Sequence, residues 1–358
     1  MAVGHSKYMR IGARELSADR PYVIAEAGVN HNGDVAFARK LIDAVKVAGA
    51  DAVKFQTFTV EEIVTENAGQ AEYQAENTGI NESQASMLAK LALSHEQFRG
   101  LKNYADGVGI EFLSTPFSIS DADFLHSLDI AAYKVSSGDL TNIPFLEHIA
   151  QFGKPVLLST GMATLEEVRE SFETLKGADV ILMQCTSEYP TPPAHANLRV
   201  IETLRKKFGV PVGFSDHTEG IETSVYAASL GAVVIEKHFT LDRSLPGPDH
   251  RASLEPDELK EMITKIRGTA AGSLDVPEGF LGSSDKQPTE SELKTKQLVR
   301  KGIAARTDIT KGTTLSDTNI FIARPEGFIA PRDLSKVLGK SASRDIPRGT
   351  SLSWDMMK

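Results

Sequence analysis

Polar residues recur at the carboxyl ends of short apolar runs along this chain. The runs are VIAEAG (23–28), DAVKFQT (51–57), IEFLSTP (110–116), AAYKVSS (131–137), PVLLSTG (155–161), DVILMQC (179–185), VPVGFSD (210–216) and VVIEKHF (233–239). At or just beyond their ends stand, in order, Glu26, Asn30 and His31; Lys54 and Gln56; Ser114 and Thr115; Lys134, Ser136 and Ser137; Ser159 and Thr160; Gln184, Thr186 and Ser187; Ser215, Asp216 and His217; Glu236 and His238. Taken singly, such a Ser or Thr caps the next helix, and such a Lys sits on a solvated rim. Their coincidence at all eight runs is the signal, because a packed interior otherwise takes Val, Ile and Leu. Two ammonium groups, Lys54 and Lys134, with several hydroxyls make an anion site. A single desolvated lysine would instead serve as the nucleophile of a Schiff-base aldolase. His217 and His238 end the last two runs. They can share a divalent cation with open positions left for water or substrate, or form a buried, hydrogen-bonded pair. Glu26 can position a water or substrate, or form a salt bridge with a pocket lysine.

These groups converge only if the runs are adjacent parallel strands. Continuous Val/Ile/Leu character suits strands buried on both faces. Helical patterns lie between them. Ala36, Leu41, Ile42 and Val45 share one face, and Gly49 stops that helix. Thr164 to Glu167 reads as a capping box. Pro256 opens a last helix with the apolar face Leu259, Met262, Ile263 and Ile266. Eight such units predict a (β/α)8 TIM barrel over 1–271, in preference to an open doubly wound sheet, with the polar strand ends at the active mouth. The polar segment 58–85 interrupts the rhythm and reads as a loop on that mouth.

Residues 272–297 are rich in Gly, Ser and Glu and read as a linker to a small β-rich domain, 298–358. That domain repeats itself, DITKGTTLS (308–316) against DIPRGTSLS (345–353), which predicts a pseudo-twofold module that must lean on another surface. Arg324 reads there as a surface arginine, Trp354 as packing for the module, and Cys185 as an inert core residue.

Composition bounds the function. Over 358 residues the formal net charge is −9, which argues against a nucleic-acid or anionic-membrane surface. A single cysteine permits no internal disulfide and points to a cytoplasmic protein. The opening MAVGHSKYMR lacks the apolar core of a signal peptide, and no run is apolar enough to span a membrane.

The segments IAEAGVNHNG (24–33), VKFQTF (53–58), FLSTPF (112–117), YKVSSGD (133–139), LSTGMAT (158–164), QCTSEYPTP (184–192), GFSDH (213–217), IEKHFTLD (235–242) and GPDHRASLEPDEL (247–259) resemble the sialic acid synthase family, in motif order and over nearly the whole chain. The tail, including VLGKSASRDIPRG (337–349), resembles the family's antifreeze-like (SAF) module. The resemblance implies Mn2+ (or Mg2+) on His217 and His238. It implies phosphoenolpyruvate on Lys54, Thr115, Lys134, Ser137, Ser159, Ser187 and Ser215. The sugar would meet Glu26, Gln56, Tyr189 and Asp249. It further implies a homodimer with exchanged C-terminal domains, so that Arg324 reaches the partner's site. The implied reaction joins phosphoenolpyruvate, an N-acylated mannose-type sugar and water. N-acetylmannosamine would give N-acetylneuraminate, and 2,4-diacetamido-2,4,6-trideoxymannose would give legionaminate. Two residues depart from the family pattern. Asp139 replaces a Glu, which would shift a substrate contact, and Ser187 replaces an Asn. A non-enzymatic, ice-binding reading of the tail conflicts with Lys311, Arg332, Arg344 and Arg348 on it and leaves the eight polar strand ends without a purpose.

Overall fold

Each apolar run becomes a strand whose alternate residues face opposite sides, and this alternation organises the molecule. In a computed structural model, which describes residues 9–66 and 68–358, the strands are β1 (Tyr22–Gly28), β2 (Ala52–Thr57), β3 (Glu111–Pro116), β4 (Tyr133–Val135), β5 (Val156–Ser159), β6 (Val180–Gln184), β7 (Val212–Asp216) and β8 (Val234–His238). All ladders are parallel, in the order β3-β2-β1-β8-β7-β6-β5-β4. The first strand therefore pairs with the eighth, with His238 opposite Glu26. β3 and β4 lie in contact without a ladder, so the expected barrel is closed except at that seam.

One parity of each strand faces the interior. Its lower layer is apolar, formed by residues including Tyr22, Ile24, Ala52, Leu113, Leu157, Ile181, Met183 and Val234. Two residues further along the same strands come Glu26, Lys54, Thr115, Lys134, Ser159, Ser215 and Glu236. The polar site thus stands on an apolar floor. Gly213 belongs to this packing, since a Cβ there would lie 2.5 Å from the Met183 sulfur. The other parity packs outward under the helices, in a core that includes Val23, Val53, Phe55, Phe112, Leu182 and Phe214.

The helices follow the local signals. Helix α1 (Val35–Ala48) is capped by the Asp34 carboxylate, which accepts from Ala36 and Phe37 N–H, and ends at Gly49 with φ 88°. α2 (His95–Val108) has a Ser94–Gln97 capping box. α3 (Leu165–Thr174) begins with the expected Thr164–Glu167 box. α4 (Pro256–Gly268) buries Leu259, Met262, Ile263 and Ile266 as predicted.

Three expectations are corrected. Segment 58–85 does sit at the mouth, but it carries short helices at Val60–Ile63 and Glu72–Thr78 and enters a third, Gln84–Leu91. Its Phe58, Ile63, Val64 and Ala68, with Met87, Leu88 and Leu91 just beyond, form a small core of their own. Stretch 272–297 is packed against the barrel. It contains the helix Glu278–Leu281 and most of α5 (Glu290–Val299), and its Lys286 and Glu292 are buried. Its polar composition misleads because Lys286 and Glu292 are paired in the interior while most of its other polar residues stay at the surface. Trp354 is 46% exposed and does not serve as packing for the module.

The C-terminal module pairs β9 (Gly302–Ala305) with β10 (Ile320–Ala323) antiparallel. Its two repeats face each other across a pseudo-twofold relation. Ile309 and Ile346 exchange both backbone hydrogen bonds, at 2.9 and 2.8 Å. Asp308 accepts from Arg348 N–H, and Asp345 accepts from Lys311 N–H. Gly312 and Gly349, with φ 88° and 78°, make the equivalent turns.

Candidate active site

The fourteen residues assigned from the sequence as catalytic or ligand-contacting line one cavity at the barrel mouth. Its centre is a buried charge network. Lys54 lies 2.6 Å from Glu26 and 3.7 Å from Glu236, and it donates to the Thr115 hydroxyl at 3.1 Å. Lys134 reaches the other Glu236 oxygen at 3.2 Å, and the Ser215 hydroxyl donates to that oxygen at 2.9 Å. Gln56 donates to Glu26 at 3.2 Å.

Burial alone would raise Glu236, but Lys134 and Lys54 outweigh it and hold its carboxyl down at about 2. Burial raises Glu26, and Lys54 offsets only part of that. For Lys54, burial acts downward, but Glu236 and Glu26 dominate and hold the ammonium above its usual range. A permanently charged, twice-paired amine is a poor Schiff-base nucleophile and a good anion ligand. The geometry therefore favours the anion-site reading over the aldolase reading.

The two histidines stand at the rim with ring centroids 5.6 Å apart. Nδ1 of His217 lies 2.6 Å from the Thr186 carbonyl. A carbonyl only accepts, so Nδ1 carries the proton and Nε2 keeps its lone pair. Burial lowers His217 to about 4. Burial, with His217 beside it, places His238 well below the usual imidazole range. Nδ1 of His238 is buried without a hydrogen-bond partner among the described residues. Two neutral imidazoles, one with an orphaned nitrogen, fit a divalent ion. Among the described residues no cluster of three or more His, Cys, Asp or Glu side chains could hold one, so water or substrate would complete the coordination. Tyr189 packs against both rings, tilted by 35° at 4.1 Å from His217 and edge-on at 5.9 Å from His238. Asp249 is buried, and that burial, with Glu26 nearby, pushes its carboxyl up to about 7.

Other strand-end polar residues have structural work. Asn30 bonds the Phe239 carbonyl and Ser253, Ser114 bonds Thr57, and Thr160 bonds the Met183 carbonyl. Gln184 bonds the Ala196 carbonyl, and Asp216 pairs with Lys237 at 3.0 Å. Asp139 lies outside the cavity lining. It pairs with Lys301 at 2.8 Å, so its departure from the family pattern bears on how the C-terminal domain is seated. Cys185, expected as inert core, lines the cavity and lies 3.1 Å from the Gly161 N–H and 3.2 Å from the Ser137 hydroxyl.

Arg324 belongs to the cap, seen within a single chain. It reaches the cavity of its own chain. Its backbone N–H donates to the Ile63 carbonyl, and its carbonyl accepts from Thr65 N–H. Its guanidinium lies over the Phe117 ring at 5.3 Å. The C-terminal domain thus closes the barrel mouth through the segment that follows β2.

The sequence reading named Glu236 among the strand ends but gave it no role. Its parity with Val234 and His238 was the available signal. The apolar wall formed by Phe58, Ile63, Met87, Leu88, Leu91 and Phe117 was also missed, because Phe58 and Ile63 come from a segment read as a polar loop.

A barrel with this mouth and a β-rich cap defines a class. The NeuB family model matches residues 41–274, and the SAF domain model matches residues 300–358. The chain belongs to the NeuB family. It is 43% identical to N,N'-diacetyllegionaminic acid synthase of Legionella pneumophila over 341 residues, 93% of this chain and 94% of that protein. It is 36% identical to human N-acetylneuraminate-9-phosphate synthase over 324 residues, 89% of this chain and 88% of that protein. The crystal structure of spore coat polysaccharide biosynthesis protein SpsE from Bacillus subtilis superposes with a TM-score of 0.80 at 35% identity, covering 98% of this chain and 99% of that one.

Proposed function

We propose that this protein condenses phosphoenolpyruvate with an N-acylated mannose-type sugar and water, releasing phosphate and a nine-carbon sialic-acid-type sugar. The observation that carries the proposal is the Lys54–Glu236–Lys134 bridge beneath two neutral imidazoles in a NeuB-family barrel. Lys54 and Lys134, with hydroxyls of Thr115, Ser137, Ser159, Ser187 and Ser215, hold the carboxylate and phosphate. The sugar lies against Gln56, Tyr189, Asp249 and Arg324. C3 of phosphoenolpyruvate attacks the aldehyde carbon of the open-chain sugar, and the resulting alkoxide takes a proton. A water adds at C2 as Glu26, whose raised carboxyl makes it a better base, accepts the water's proton. The C2 adduct then expels phosphate, which takes the C2 hydroxyl proton, to leave the ketone, and the proton on Glu26 offsets the one taken up by the alkoxide. Mn2+ (or Mg2+) held by His217 and His238 would supply Lewis-acid polarisation of the aldehyde.

For the sugar we propose 2,4-diacetamido-2,4,6-trideoxymannose, with a legionaminate-type product. The 43%-identical relative carries that activity in its name. The apolar wall suits a sugar with a C6 methyl and two acetyl methyls in place of a C6 hydroxyl. The family resemblance supports a homodimer, and we propose that each cap closes its own barrel within it. Purified enzyme offered phosphoenolpyruvate with each sugar, with products read by mass spectrometry, tests the proposal. Preferential turnover of the diacetamido sugar is expected. Preference for N-acetylmannosamine overturns the choice of sugar, and no phosphoenolpyruvate consumption with either overturns the function.

A further inference from the structure

The segment from Lys286 to Lys301 has no role in the chemistry above, yet it places buried charges against the loops that carry the phosphate-side hydroxyls. Glu292 is 2% exposed. One of its carboxylate oxygens accepts from the backbone N–H of Met162 at 2.7 Å and of Ser187 at 2.8 Å. The other accepts from Thr289 N–H at 3.0 Å, in the capping box that opens α5. A residue that caps its own helix therefore also joins the loop after β5 to the loop after β6. Met162 has φ 58°, a left-handed conformation unfavourable for a residue that carries a Cβ. A charge-assisted bond to its N–H holds it there. Beside it the packing leaves no slack. Gly161 N–H donates to the Ser137 hydroxyl at 3.0 Å, and a Cβ on Gly161 would lie 2.4 Å from the Ser187 hydroxyl. Met162, Ser137 and Ser187 line the cavity, while Glu292 stands behind them. Lys286, 4% exposed, braces the same loop from below by donating to Gln184 at 3.2 Å.

We propose that Glu292 is a positioning residue for the phosphate end of the site. Its carboxylate fixes the Met162 and Ser187 backbone, and so sets where the Ser187 and Ser137 hydroxyls meet phosphoenolpyruvate. The proposal rests on the anion-site reading given above. It separates two halves of the cavity, because the hydrogen bonds of the Glu292 carboxylate among the described residues go to Met162, Ser187 and Thr289 and not to the sugar side.

The test compares steady-state parameters for both substrates in four variants. Glu292→Ala should raise the apparent phosphoenolpyruvate KM about tenfold, as expected for lost charge-assisted bonds, with the sugar KM within about twofold of wild type. Glu292→Gln keeps one accepting oxygen for the two loop N–H groups but loses the charge, so its phosphoenolpyruvate KM should rise less than that of Glu292→Ala. Thr289→Ala removes the helix cap but not the loop contacts, so it should lower Tm without moving the phosphoenolpyruvate KM. Equal rises in both KM values for Glu292→Ala, or a Thr289→Ala enzyme that matches it, would show that α5 matters only for stability and would overturn the proposal. If Glu292→Ala does not fold, Glu292→Asp serves. It keeps the charge but falls short of the two N–H groups, and an unchanged phosphoenolpyruvate KM there also overturns the role. A wild-type enzyme that consumes no phosphoenolpyruvate refutes the function itself, a result distinct from all of these.

Discussion

Replacing Glu236 by Gln keeps the side chain's shape but deletes the charge that Lys54 and Lys134 share. The folded carboxyl lies at about 2 against an ordinary value of 4.5. That difference corresponds to about 3 kcal/mol of stabilisation by the ionised form, at 1.36 kcal/mol per pKa unit. Burial of the group justifies the conversion, since solvent screens little there. The sign follows from linkage. A depressed carboxyl stabilises above its unfolded pKa and loses that contribution as pH falls through its folded pKa. Glu236→Gln should therefore be less stable than wild type by about 3 kcal/mol at pH 7, and the gap should close between about pH 4.5 and 2. Urea unfolding of both proteins at pH 7, 4 and 3 measures it, with m-values checked for equality. A variant within about 0.5 kcal/mol of wild type at pH 7, or a gap that does not narrow on acidification, would refute the bridging role of Glu236.

Three further outcomes are expected. Chelator treatment should abolish turnover and Mn2+ should restore it, with the fold intact by circular dichroism; full activity in metal-stripped His217→Ala enzyme contradicts the metal assignment. Asp249, raised to about 7 from 3.8, should cost stability as pH rises from about 4 to about 7. Asp249→Asn should accordingly gain in Tm relative to wild type at pH 8 but not at pH 4, and parallel pH profiles would show that burial does not hold the carboxyl neutral. Finally, under the proposal that each cap closes its own barrel, chains carrying His238→Ala mixed with chains carrying Arg324→Ala should stay near background; recovery of about a quarter of all sites in an equal mixture would mean that the caps are exchanged.

How far the site was legible in the sequence turns on parity. Polar residues at the ends of apolar runs were visible at once; eight strand-helix units predicted the barrel, and the polar ends of all eight predicted its mouth. The reading nevertheless grouped neighbours that the strand period separates. Ser159 faces the cavity while Thr160 bonds the Met183 carbonyl, and Ser215 bonds Glu236 while Asp216 pairs outside with Lys237. Counting by two from the apolar floor residues Leu157 and Val234 would have sorted Ser159 and Glu236 to the interior. The helix boundaries were legible for a different reason, since Asp34, Gly49, Thr164 and Pro256 act through contacts a few residues away.

Contacts between distant parts of the chain were beyond such local signals. Glu236 meets Lys134 across about a hundred residues, and nothing near either position announces the bridge. Stretch 272–297 shows the same limit more sharply. Composition records that Lys286 and Glu292 are charged, and charge is usually solvated. It does not record that Glu292 finds two backbone N–H groups, or that Lys286 finds Gln184, which is what makes burial tolerable. The cap follows from this. Once the segment from Lys286 to Lys301 is pinned to the loops after β4, β5 and β6, the chain is delivered over its own barrel mouth. Arg324 then needs only the short ladder to Ile63 and Thr65 to enter the site. A stretch that reads as a flexible tether is thus the element on which the proposed closure of a chain's own barrel rests.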